Sequence, residues 1–292
     1  MFFKNFLRQK TIVTHLAVVG VMLCGTSANA SDKPLDAITT TANLAALVKA
    51  VGGDAVQVRN LARPGEDPHF VEARPSFVRL LHSADLLAVV GLDLGIGYLP
   101  ALLRQARNSK IQPGGVGYFD ASQGSNTILP ANSGIMARAM GDIHPRGNPH
   151  YLTDPVEGLR VARRPVEQLS ELAPEQRDSF EKNYLAFRDL LLTKLYGSAA
   201  VNKLGAQQLA IASFEGAAAI RSLFASQRLS SGGWEGEMRP LAGTPFVADH
   251  NLWPYFARRF DLRQVDLLEP FAGVAPTTRH LQDVIRQMQQ QD

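Results

Sequence analysis

Cysteine is nearly absent from this 292-residue chain: Cys24 is the only one, so no disulfide can form within it. Surplus charge is also absent. Lys4, Arg8 and Lys10 face no acid within residues 1–30, and they account for the whole net charge of +3. The remainder is balanced and offers no basic footprint, so a nucleic-acid partner is not expected. G-x-S-x-G, H-E-x-x-H and phosphate-loop motifs are missing, and with them the signatures of the common hydrolases and nucleotide enzymes. There is no repeat of solenoid period, and beyond the first thirty residues no apolar run is long enough to span a bilayer.

The first thirty residues read as an export signal. A basic start (Lys4, Arg8, Lys10), an apolar stretch from Ile12 to about Cys24 and the small-residue site Ala28-Asn29-Ala30 predict a secretory signal peptide over 1–30, cleaved near Ser31. Leu23 is large where acylation at Cys24 would want a small residue, which favours plain cleavage. Cleavage removes the one cysteine, so an apolar core has to hold the exported chain together.

Strand-like and helix-like runs then alternate. Residues 37–41, 55–61, 84–91 and 114–122 read as strands or extended segments, and 43–53 and 96–107 as helices. From Pro174 a long helical stretch brings Phe180, Tyr184, Phe187 and Leu191 onto one face and stops at Gly197. Strand-helix texture resumes over 244–250, 251–260, 264–270 and 277–291. The fold class is α/β: two lobes with mainly parallel sheets flanked by helices, joined by a long connecting helix. The corresponding boundaries are a leader over 1–30, a first lobe over 31–165, a connecting helix over 166–197 and a second lobe over 198–292.

Three histidines occupy one kind of place. His69 lies in the loop after the strand 55–61, His150 in a loop ahead of an Asp-Pro turn, and His250 at the end of the strand 244–250. Open α/β sheets bind ligands at the carboxyl ends of their strands, where such loops meet. Pro68 and Pro149 restrict the backbone beside two of these rings and reduce the cost of ordering them. A single loop histidine is most often a solvated polar residue. Three in equivalent settings point to a metal site, because neutral imidazole is a good zinc ligand. His82 and His280 read as structural or solvated. His144, six residues before His150, reads as a surface residue with an accessory capture role as the sharper alternative. Glu66, Asp67, Glu72 and Asp154 fit either metal ligation or turn and helix capping.

The motifs PGEDPHFVEARPS (64–76), GDIHPRGNPHYLTDP (141–155), FVADHNLWPYFARRFDL (246–262) and LEPFAGVAPTTRHL (268–281) occur in that order. Together they resemble the metal-binding solute-binding proteins of zinc and manganese ABC importers, the cluster A-I or ZnuA-like family. The resemblance implies a metal ion held in a cleft between the lobes, with His69 and His150 as ligands from the first and His250 from the second. A histidine at the third position implies Zn²⁺ as cargo, with Mn²⁺ or Fe²⁺ as the alternative. It also implies a periplasmic monomer serving an inner-membrane permease and its ATPase. The family's fourth ligand, a carboxylate, comes from sequence beyond the PTTRHL helix, so an incomplete second lobe is expected here, with water, Glu66 or Asp249 closing the shell. An open three-histidine site would alternatively suit a zinc hydrolase with Glu66 or Asp67 as base. The long His-rich acidic loop of some zinc importers is absent, and only the short DIHPRGN stands in its region.

Overall fold

The computed structural model describes residues 33–125, 144, 146–270 and 273–291. The expected leader lies outside them. Four strands, β1 (Leu35–Thr39), β2 (Val56–Asn60), β3 (Leu86–Val89) and β4 (Tyr118–Asp120), form an all-parallel sheet in the order β2-β1-β3-β4. Leu35 lies opposite Val56, Ala37 opposite Leu86, and Leu87 opposite Tyr118. β3 is apolar throughout and β1 is buried from Asp36 to Thr39, because both faces of the sheet are covered.

Alternation along these strands sorts the side chains between two cores. Ala37, Leu86 and Ala88 pack with Leu44, Val48 and Val51 of helix α1 (Ala42–Gly52). Ile38, Leu87 and Val89 pack on the opposite face with Phe77 and Leu81 of α2 (Pro75–Ser83) and Leu102 of α3 (Leu99–Ala106). The chain leaves β1 toward one edge and β3 toward the other, which opens a crevice at their carboxyl ends.

Helix α4 (Pro155–Leu172) begins where Asp154 accepts the Val156 N–H at 2.8 Å, with Pro155 as its first residue. The helix expected from Pro174 opens with a 3₁₀ turn over Pro174–Gln176 and continues as α5 (Arg177–Tyr196). Phe180 and Tyr184 are buried in it, and α5 packs along α1 and α4. Four shorter helices follow: α6 (Ser198–Leu204), α7 (Ala206–Glu215), α8 (Ala217–Ser226) and α9 (Gly233–Met238). A second parallel sheet pairs β5 (Pro245–Ala248) with β6 (Arg263–Leu267) across helix α10 (Pro254–Phe260), and α11 (Thr278–Gln289) closes the order. His280, on α11, donates Nε2–H to the Leu267 carbonyl at 2.7 Å and so docks that helix on β6. Among the described residues no helix is long and apolar enough to cross a membrane.

Candidate metal centre

The crevice at the carboxyl end of the larger sheet is a cleft of about 520 Å³ with His69, His150 and His250 in its wall. Their rings lie side by side. Centroid separations are 5.4 Å for His69 and His150, 5.6 Å for His150 and His250, and 6.1 Å for His69 and His250. The three sequence-derived candidates are therefore neighbours although they are separated by up to 181 positions in the chain.

A fourth ring joins them. His144 is 6% exposed, and its centroid is 5.2 Å from that of His69 and 6.4 Å from that of His150. The surface location expected for His144 is thus corrected. Its Nδ1 lies 2.8 Å from the Leu92 carbonyl, a contact that holds the ring against the turn after β3.

Outer contacts fix the ring orientations. The Asp67 carboxylate accepts both the backbone N–H of His69 at 2.9 Å and its ring Nδ1–H at 2.6 Å. Burial pushes the Asp67 carboxyl up, but the hydrogen bonds from His69 outweigh this and hold it below the ordinary carboxylate value. His250 Nδ1 lies 3.0 Å from Asp249 Oδ2. Carboxylates and carbonyls only accept, so in His69, His144 and His250 the Nδ1 atom is the donor in these contacts. An acceptor behind the imidazole is the usual second contact of a metal-ligating histidine.

The loop of His150 is braced from both sides. The Asn148 side chain accepts the His150 backbone N–H at 2.9 Å and donates to the Asn251 carbonyl at 2.7 Å. Tyr151 donates its hydroxyl to the Val90 carbonyl at the end of β3, at 2.6 Å.

A tetrahedral zinc site with Zn–N near 2.0–2.1 Å places ligand nitrogens about 3.3–3.4 Å apart and imidazole centroids about 5 Å apart. Among the described residues no set of three His, Cys, Asp or Glu side chains is closed to metal-holding geometry. The His69–His250 and His144–His150 pairs exceed the tetrahedral spacing by about 1 Å. The arrangement is that of a slightly open imidazole cluster.

The remaining candidates have structural partners. His82 makes a 2.8 Å contact from Nδ1 to the Ala106 carbonyl, between α2 and α3. Glu66 accepts the Arg63 backbone N–H at 2.7 Å and pairs with Arg74 at 3.4 Å. Asp154 caps α4 and pairs with Arg259 at 2.8 Å. Tyr255 is a core residue, fully buried.

Comparison with known proteins agrees with this architecture. Residues 38–212 match the family model of the zinc-uptake complex component A, periplasmic (ZnuA), and the chain belongs to that family. The family is one of substrate-binding components of ABC transporters, not of enzymes. The manganese ABC transporter substrate-binding lipoprotein PsaA of Streptococcus pneumoniae is 28% identical over 204 residues, covering 68% of this chain and 62% of the relative. The chain thus spans less than two thirds of that curated relative. Among solved structures, ZnuA superposes with a TM-score of 0.61 at 22% identity, covering 89% of this chain and 79% of the other. The solute-binding protein FpvC of Pseudomonas aeruginosa, in complex with Mn²⁺, gives 0.60 at 19% identity, covering 89% and 78%. An α/β fold with a parallel sheet flanked by helices is therefore shared with these solved structures.

Proposed function

We propose that this protein captures Zn²⁺ in the cleft, with His69, His150 and His250 as ligands, and delivers it to a membrane permease driven by its ATPase. The carrying observation is the convergence of three imidazoles on one crevice, with His69 and His250 each backed by a carboxylate. Nitrogen donors favour zinc over the harder manganese ion, which prefers oxygen. Loops at strand ends form the cleft, so domains with boundaries near 31–165 and 198–292 would each contribute ligands, with 166–197 between them. Residues 1–30 direct export to the periplasm, with cleavage near Ser31. The relatives are lipoproteins, and anchoring through Cys24 is the alternative to cleavage.

Manganese is the second reading of the cargo, favoured by the manganese transporter lipoprotein among the relatives. Calorimetric titration of metal-stripped protein with Zn²⁺ and with Mn²⁺ separates the two. One equivalent of tightly bound zinc, with weaker manganese, is the expected result. Manganese held more tightly than zinc overturns the choice of cargo, and no binding of either ion overturns the carrier reading.

A further inference from the structure

Resting on the zinc reading above, we propose that Glu269 is the fourth ligand, so that the ion is held by three imidazoles and one carboxylate supplied ahead of the PTTRHL helix, not after it. The register of the second sheet places it. β5 and β6 are parallel neighbours, and their last register pair sets Ala248 opposite Leu267. The pairing runs on past the strand ends: Leu268 donates its backbone N–H to the Ala248 carbonyl at 2.7 Å, and Glu269 donates to the Asp249 carbonyl at 2.6 Å. His250 and Glu269 thus stand at matching places, each two residues beyond that last pair, on strands about 4.8 Å apart. Both residues line the cleft. The carboxyl ends of adjacent parallel strands are where such sheets hold their ligands.

Three other carboxylates line the same cleft, and each is committed elsewhere. Asp67 accepts from the backbone and the ring of His69. Asp249 backs the His250 ring at 3.0 Å. Glu66 takes the Arg63 backbone N–H and pairs with Arg74. Glu269 accepts the Gly273 N–H on Oε2 at 3.1 Å. That contact uses one of the roughly four acceptor positions of a carboxylate, so it orients the group and leaves it able to bind a cation. Gly273 makes the contact with φ of 75°, a left-handed conformation natural to glycine.

Zinc has to draw the rings slightly closer together. Glu269 is hydrogen-bonded to the segment that presents His250, so its carboxylate travels inward with that ring. A fourth protein ligand closes a site that three imidazoles leave open to water. Closed four-coordinate zinc is held, whereas zinc with an open position is a catalyst's metal, so Glu269 is the residue that suits this cleft to carriage.

A crystal structure of the full chain loaded with one equivalent of Zn²⁺, together with competitive zinc titration of a variant, tests the assignment. A Glu269 oxygen about 2.0–2.2 Å from the ion, beside three imidazole nitrogens, is expected. Glu269→Ala should lower zinc affinity by about ten-fold or more. Acetate should restore part of that loss by supplying a carboxylate to the open position, a rescue that a purely structural role would not show. Zinc held by the three imidazoles with water or a different carboxylate overturns the assignment and leaves zinc capture standing. So does an unchanged affinity in Glu269→Ala, or a loss that acetate does not relieve. An unaltered protein that takes up no zinc overturns the capture reading and this assignment together.

Discussion

Tyr255 donates its hydroxyl to the Asn148 carbonyl at 3.0 Å, joining helix α10 to the loop that carries His150. Asn148 returns the connection by donating its side-chain amide to Asn251, the residue after His250. The segments that bear His150 and His250 are therefore tied by two hydrogen bonds placed outside the imidazole cluster. Tyr255→Phe removes one bond and leaves a buried carbonyl without that donor, which should cost about 1–3 kcal/mol of stability. Denaturant unfolding measures the loss. Zinc affinity should fall in the same variant, since the two rings are no longer held in register.

The ion pair of Asp154 with Arg259 fastens α10 to the start of α4, and its side chains are only 2% and 9% exposed. Burial pulls the Arg259 guanidinium down, but the hydrogen bond and charge of Asp154 prevail and raise it. Removing one partner strands the other charge in a buried setting, so Arg259→Ala should destabilise the fold by about 3–5 kcal/mol. Equilibrium unfolding of the metal-free protein provides the comparison.

Asp67 acts through His69 and not on the ion. Asp67→Ala removes the acceptor that fixes the His69 ring and should weaken zinc binding by about 10–100-fold. His82→Ala and His280→Ala, whose rings bind the Ala106 and Leu267 carbonyls away from the cluster, should leave affinity unchanged. Calorimetry on the three variants side by side checks both halves of the expectation.

Protons and zinc compete for the same imidazole nitrogens, so affinity should decline as pH is lowered from 8 to 5. The Asp67 carboxyl has the opposite placement. Its value is depressed in the fold, so its contact with His69 is present above the ordinary carboxylate range and is lost only as pH falls through the lowered value. A decline between pH 8 and 5 is therefore assigned to the imidazoles. A flat affinity profile over that range would contradict imidazole ligation.

Much of this architecture is legible in the sequence because it rests on local patterns. The apolar run of β3, the glycine that closes α1 and the proline that opens the long helix all act within a few residues. His69, His150 and His250 stand out because each follows a strand or a proline-flanked turn. His144 does not, since its burial depends on the Leu92 carbonyl 52 positions earlier, and nothing near it in the chain announces that partner. The available signal was Pro145, which borders His144 on its C-terminal side as Pro68 and Pro149 border His69 and His150 on their N-terminal sides. Helix α4 is hidden for another reason: Asp154-Pro155 reads as a turn but serves as a cap and first helical residue, and Pro165 lies inside the helix.

Anomalous diffraction at the zinc edge, from crystals of the zinc-loaded protein, tests the convergence of the histidines most directly. A single peak is predicted in the cleft, about 2.0–2.1 Å from ring nitrogens of His69, His150 and His250. A peak elsewhere, or one bonded to only one of the three rings, would contradict it.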